Sequence, residues 1–115
     1  MVSESWYFTT EEEVNVDDET LLPVSTALVG NFPNPFNPET TIRFTLSHAE
    51  NVEINIYNVR GQLIRTLVNG YVNGGRHNVV WNGLNDNGNP VGSGVYFYRM
   101  TAGEYQSVRR MMLIK

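Results

Sequence analysis

The sequence predicts an all-β sandwich of about seven antiparallel strands in two sheets, and three observations predict it. Apolar and polar residues alternate with a period of two through several runs after residue 40, the pattern of strands buried on one face. Turn-forming Gly, Asn and Pro separate these runs. β-Branched and aromatic residues crowd the runs themselves, which suits a pleated, half-buried surface better than a helix. At 115 residues the chain has room for one domain and a tail, since compact domains commonly run to ~100 to 150 residues.

Residues 1–30 read as an acidic linker or the end of a preceding domain, and residues 31–115 as the sandwich. Between Val2 and Ser25 the spacing is acidic, with little apolar periodicity apart from Trp6-Tyr7-Phe8 and Leu21-Leu22. The aromatic cluster suits the last strand of a preceding domain, or a strand added to an edge of this one. The arm Asn31-Phe32-Pro33-Asn34-Pro35-Phe36-Asn37-Pro38 follows. Each residue before a proline is pushed toward extended geometry, where Phe32 and Phe36 would point the same way and both plug one end of the sandwich.

Beyond the arm, Ile42, Phe44 and Leu46 alternate with polar neighbours as one strand, and Val52, Ile54 and Ile56 as the next. Asn58-Val59-Arg60-Gly61 offers a hairpin turn with Gly61 free to take positive φ. Leu63 to Val68 returns as the partner strand, punctuated by Asn69-Gly70 and Asn73-Gly74-Gly75. His77, Val79 and Trp81 then share one face, with Trp81 the candidate for the large ring at the core. Asn82 to Pro90 is almost pure turn chemistry and is expected as an exposed loop. Val95 to Met100 is nearly continuous apolar and aromatic, as in a central strand covered on both faces. Ala102-Gly103 turns the chain, and Tyr105 to Lys115 forms the last strand.

Composition narrows the function. With no cysteine there is no disulfide framework and no thiolate nucleophile or metal ligand. No run approaches the ~18 consecutive apolar residues of a membrane span, and the Met1 region lacks a basic stretch followed by an apolar one. If the protein is exported, its signal peptide belongs to a longer precursor of which this chain is the end. The net charge of −4 divides sharply. Residues 1–42 carry eight acids and no Lys or Arg, and the remainder is net +4. The arginines of that remainder are scattered, with no basic cluster interleaved with exposed aromatics, which argues against nucleic-acid binding.

Catalytic constellations are missing. His48 and His77 fall on different elements, so neither is placed to activate a nucleophile beside an oriented third group. Gly92-Ser93-Gly94 has neither the spacing nor the following helix of a nucleophile elbow. Glu50 and Glu53 have opposite strand parity and do not pair as acid and base. The loop at Asn82, Asn85, Asp86 and Asn87 offers oxygens to calcium, but tight calcium loops supply several carboxylates and this one has Asp86 alone. Turn formation accounts for the loop, weak calcium binding between Asn82 and Asn89 stays open, and no metal residue or cofactor is assigned. The chain is read as a non-enzyme.

Several motifs together carry a resemblance. They are Asn34-Pro35-Phe36-Asn37-Pro38-Glu39-Thr40-Thr41-Ile42, Ile54-Asn55-Ile56-Tyr57-Asn58-Val59-Arg60-Gly61, Trp81-Asn82-Gly83, Gly92-Ser93-Gly94-Val95-Tyr96-Phe97-Tyr98-Arg99 and the terminal Lys115. Over 31–115 the chain resembles the type A C-terminal sorting domain of the bacterial type IX secretion system. It is also similar to the immunoglobulin-like domain of flagellar hook-capping proteins.

The first resemblance implies an immunoglobulin-like sandwich at the end of an exported cargo, recognised by an outer-membrane translocon. It further implies removal by a sortase-like surface peptidase cutting in the acidic stretch, with the cargo secreted or held at the outer-membrane surface after crossing the periplasm. The family's signal falls here on Gly94 and Tyr96 and on the end Met111, Met112, Leu113, Ile114 and Lys115; Arg110 joins these as a translocon-recognition candidate through its charge. Where members often have Asp after the Trp and in the following loop, this chain has Asn82 and Asn85. Arg109-Arg110 replaces a lysine-rich approach, which keeps the charge and alters the hydrogen-bonding geometry.

A physical version of the signal is a free edge of the last strand, paired by a receptor that also reads Arg110 and Lys115 as charge. Deleting Met111 to Lys115 is then expected to stop export while the domain stays folded. Two other classes compete: a structural immunoglobulin-like domain supporting a neighbour or a cap assembly, and a carbohydrate-binding sandwich using Trp6, Tyr57, Tyr71, Tyr96 and Tyr98.

Overall fold

The computed structural model describes residues 24–115; residues 1–23 of the expected linker, with the Trp6-Tyr7-Phe8 cluster, lie outside the described residues. Seven strands appear in order: β1 (Ala27–Phe32), β2 (Thr40–Leu46), β3 (Glu50–Tyr57), β4 (Leu63–Val72), β5 (Gly75–Trp81), β6 (Gly94–Ala102) and β7 (Tyr105–Leu113). They pair antiparallel in a three-stranded sheet, β1-β2-β5, packed on a four-stranded sheet, β4-β3-β6-β7. The two-sheet all-β architecture is the one the periodicity predicts. Among the described residues no helix is long and apolar enough to cross a membrane.

The alternating pattern does what its period requires. Ile42, Phe44 and Leu46 of β2 face Val52, Ile54 and Ile56 of β3 across the sandwich, all buried. Tyr96, Tyr98, Met100 and Ala102 of β6 complete the inner face with Met111 and Leu113 of β7. Trp81 sits in this core with no exposure, its Nε1 donating to the Leu84 carbonyl at 2.9 Å. Without that acceptor the buried indole N–H would lose its bond to water for nothing. The chain turns sharply after it at Gly83, whose φ of +78° suits glycine. A Cβ there would also lie 3.3 Å from the Pro38 carbonyl oxygen.

Four expectations need correction. The sandwich begins before Asn31: β1 starts at Ala27 and pairs with β2 from Ala27↔Thr45 to Phe32↔Thr41. Its run of Ala27, Leu28, Val29 and Gly30 has no apolar–polar alternation, and a register shift between Leu28 and Gly30 breaks the period that would have revealed it. Phe32 is 75% exposed, whereas Phe36 is 2% exposed. The chain bends between them, so Phe32 stays on the outer face of β1 while Phe36 crosses to the end of β7. Asn69-Gly70 does not end a strand, because β4 continues in register with β3 to Val72, opposite Glu50; pairing along the full strand outweighs the local turn preference. Finally, β6 is central to its sheet, but its Phe97, Arg99 and Thr101 face is only half-covered.

The Asn82–Pro90 segment is a surface loop, as predicted, built on its own side chains. Asn85 Oδ1 accepts from the Asn87 and Asn89 amides at 3.0 and 2.9 Å. The loop folds along the outer edge of β4, where Asp86 N donates to the Ile64 carbonyl at 3.0 Å and Thr66 N donates to Asp86 Oδ1 at 3.1 Å.

Two measurements check the core. Trp81→Ala is expected to cost ~3 to 5 kcal/mol, read as a lower denaturation midpoint in urea. Burial pushes the Tyr98 phenol up to about 12, partly opposed by the Arg109 charge, and raises that of Tyr96 too. An unfolded tyrosine ionises near ~10, so above that pH the unfolded chain has lost protons that the native state keeps. Stability is therefore expected to be full below pH ~10 and to fall toward pH ~12. Ultraviolet titration of tyrosinate should find these phenols ionising late, together with unfolding.

Candidate functional site at the C-terminal strands

The positions singled out as a signal meet in the fold. On the β6–β7 hairpin Gly94 pairs with Leu113, Val95 with Met112 and Tyr96 with Met111, so two motifs far apart in sequence form one cross-strand block. Strand parity then splits them. Tyr96, Met111 and Leu113 point inward and are 7%, 1% and 1% exposed. Arg110 and Lys115 are exposed, and Met112 and Ile114 are 42% and 48% exposed. Three of the eight candidates hold the core, four can be touched from outside, and Gly94 is half-buried between them.

Aromatic packing fixes the inward half. Tyr96 meets Trp81 edge to face with ring centroids 5.3 Å apart, and Trp81 meets Phe36 at 5.6 Å. Such pairs add ~0.5 to 1.5 kcal/mol each beyond area burial. The Tyr96 hydroxyl donates to the Gly92 carbonyl at 2.7 Å, tying the strand to the loop before it. Gly94, with φ of +152°, begins β6 there, where a Cβ would meet nothing within 4 Å. Its constraint is backbone geometry rather than space.

The outward edge of β7 is already occupied at its end, which overturns the free-edge idea. The Met112 amide donates to Asn34 Oδ1 at 3.1 Å, and Asn34 Nδ2 donates to the Arg110 carbonyl at 3.4 Å. Phe36 N donates to the Met112 carbonyl and Ile114 N to the Phe36 carbonyl, both at 2.9 Å. The arm thus runs as a short parallel partner of β7, bridged at Phe36↔Leu113. A receptor strand pairing here would have to displace it. The expected effect of deleting Met111 to Lys115 changes as well: the deletion removes two side chains that are each 1% exposed, so it unfolds the domain rather than leaving it intact.

Between arm and strand lies a groove of about 350 Å³ lined by Asn34, Pro35, Val95, Arg110, Met111 and Met112. Sequence reasoning missed the contribution of Asn34. The Asn-Pro-Phe-Asn-Pro run signalled that the arm matters, but alternation says nothing about which strand an irregular segment will meet.

The other candidate chemistries come out as follows. His77 stacks on Phe44 with centroids 5.2 Å apart and its Nε2 lies 2.6 Å from the Asn73 carbonyl. Sequence reasoning did not foresee that Ser47 Oγ lies 2.9 Å from His48 Nδ1 while Glu50 Oε2 lies 3.5 Å from His48 Nε2. The His48 side chain is 69% exposed on an open turn, and that of Glu50 31%, so water reaches the pair. In the Asn82–Asn89 loop Asp86, Asn85 and Asn82 spend an oxygen each on backbone amides. Among the described residues no three His, Cys, Asp or Glu side chains group to hold a metal. Tyr96 and Tyr98 are core residues and Tyr71 is 71% exposed on β4, so these tyrosines share no outward platform for a sugar.

Comparison with known proteins agrees with this architecture. The family model described as the FlgD Ig-like domain matches residues 34–106, from the arm into β7. No curated protein matches the chain. Among solved structures, dimeric latent PorU from Porphyromonas gingivalis superposes with a TM-score of 0.65 at 22% identity, over 82% of this chain and 10% of that one. PorZ of the same organism, an essential bacterial surface component of the type-IX secretion system, superposes with a TM-score of 0.53 at 21% identity, over 79% of this chain and 12% of that one. The chain thus spans about a tenth of the length of these two proteins.

If the arm holds β7, Phe36→Ala should cost ~3 to 5 kcal/mol. Asn34→Ala should cost ~1 kcal/mol and speed hydrogen exchange at the Met112 amide while leaving the Ile54 amide of β3 slow. Unchanged exchange at Met112 would show that Asn34 does not hold it.

Proposed function

This chain belongs to the FlgD Ig-like domain family, and from that premise we propose that it acts as a C-terminal sorting domain of the type IX secretion system. It carries a cargo on its N-terminal side to the outer-membrane translocon and on to the cell surface or medium. There a sortase-like surface peptidase cuts within the acidic stretch. The domain itself does no chemistry: the Ser47–His48–Glu50 contact lies on an open turn, and the buried phenols serve packing.

The observation that carries this reading is the split block on β6 and β7. Gly94, Tyr96, Met111 and Leu113 build the end of the sandwich, β7 presents Arg110 and Met112 outward at one groove, and Ile114 and Lys115 are exposed just past its end. A recognition signal has to be folded and readable at once, and strand parity provides both. The fold shared with PorZ, whose own role is in that secretion system, supports the same reading.

The second reading is an immunoglobulin-like accessory domain with no sorting role, as in hook-capping proteins. It is favoured by the extent of the family match, which ends at residue 106, before any of the outward-facing candidates.

A reporter fused before Met1 and expressed in a bacterium with this secretion system separates the two. The chain should export the reporter, and Arg110→Glu with Met112→Ser, Ile114→Ser and Lys115→Glu should reduce export by more than tenfold with the circular dichroism spectrum unchanged. Val80→Ser, on the other sheet, should export normally. No export of the parent fusion, or full export of the fourfold variant, would favour the accessory reading.

A further inference from the structure

The outer face of the four-stranded sheet is not what a water-facing antiparallel sheet presents. Such sheets put polar residues outward, yet β6 and β7 turn out Val95 opposite Met112, Phe97 opposite Arg110 and Arg99 opposite Val108. Tyr57 joins from β3, opposite Phe97. Arg99 lies over the Tyr57 ring, its guanidinium carbon 5.2 Å from the centroid, and donates to the Tyr57 hydroxyl at 2.9 Å. Val59, Phe97 and Val108 complete a groove of about 360 Å³ over that pair. Val59 and Val108 are 68% and 55% exposed, and a contiguous apolar patch of this kind marks an interaction surface.

Charge and chain geometry indicate the occupant. Among the described residues no carboxylate pairs with Arg99 or Arg110; Glu53 of the same face lies farther along, opposite Thr101, so the end of the face around the groove joins apolar side chains to two cations. Residues 24–115 are net +3, and residues 1–23 are net −7 with no Lys or Arg. All seven of those carboxylates, with Trp6, Tyr7 and Phe8, fall within residues 4–19. This segment joins the fold beside the same sheet. The Leu28 amide donates to the Tyr105 hydroxyl at 2.9 Å, and Arg109 Nε donates to the Leu28 carbonyl at 2.9 Å, fixing the start of β1 against edge strand β7. Extended chain covers ~3.3 Å per residue and strands lie ~4.8 Å apart, so the segment has the length to span every strand of the sheet.

We propose that residues 4–19 of this chain dock on the outer face of the β4-β3-β6-β7 sheet. The aromatic side chains enter the Tyr57–Phe97–Val108 groove, and the carboxylates lie toward Arg99 and Arg110. The docking stands whether or not the chain sorts cargo. Its consequence, that an occupied face hides Arg110 and Met112 from a translocon, rests on the sorting reading.

The absence of cysteine permits a clean test on the full chain. With a nitroxide on Thr9→Cys, the amide signals of Phe97 and Val108 should lose most of their intensity, and those of Arg43 and Val80 on the other sheet should not. Intensity should return in Arg99→Glu/Arg110→Glu, in Val108→Ser, and in about 0.5 M NaCl, where screening shortens the reach of charge to a few ångströms. Labelled chain mixed with unlabelled isotopic chain should broaden nothing; broadening there would assign the occupant to a second copy and overturn the proposal. Undiminished Phe97 and Val108 signals, or loss on the three-stranded sheet instead, would also overturn it.

Discussion

The end of β7 is held from two sides, and much of this domain depends on that clamp. On one side β6 supplies an ordinary antiparallel ladder. On the other, Asn34 and Phe36 of the arm take the backbone groups that an edge strand would leave bare. Phe36 also inserts its ring against Trp81, and Trp81 meets Tyr96. The arm therefore satisfies polar groups and fills the core with the same few residues. Loss of either contribution exposes the other, because a displaced arm uncovers both the Met112 amide and the Trp81 face.

This clamp gives physical content to the two families of motifs on which the resemblance rests. The Asn-Pro-Phe-Asn-Pro arm and the terminal apolar run are separated by about the length of the domain, yet they are direct neighbours. Asn31 extends the connection: its side chain accepts from the Tyr98 hydroxyl at 2.9 Å and donates to Thr40 Oγ1 at 3.0 Å. Thr40 is a buried polar residue on β2 whose hydroxyl donates to the Pro33 carbonyl at 2.7 Å. One network thus ties both sheets to the arm. The opposite edge of the four-stranded sheet has a cover of its own in the Asp86 loop. Both edges are shielded where loops reach them, which limits unwanted pairing with other chains.

Strand order in sequence was legible because period-two alternation leaves a strong trace wherever one face is buried. Ile42 to Leu46, Val52 to Ile56 and the Tyr96 to Met100 face all follow it. Segments held by side-chain hydrogen bonds or bulges leave no such trace. β1 carries the register shift at Leu28 and Gly30 and contributes one deeply buried residue, Leu28. Phe32 and Phe36 are chemically identical and four residues apart, and only the path of the chain between them decides that one faces water. The candidate site was legible as a set of residues. Its division into Tyr96, Met111 and Leu113 inside and Arg110 and Met112 outside follows from parity, whereas Ile114 and Lys115 are exposed because they lie past the end of β7. The occupation of the β7 edge by the arm required the fold.

The clamp can be observed directly as electron-mediated couplings across hydrogen bonds in a uniformly labelled chain. The account expects couplings from the Phe36 amide nitrogen to the Met112 carbonyl carbon and from the Ile114 nitrogen to the Phe36 carbonyl carbon, alongside those of the β6–β7 ladder. A spectrum with the ladder couplings present and both arm couplings missing would contradict it.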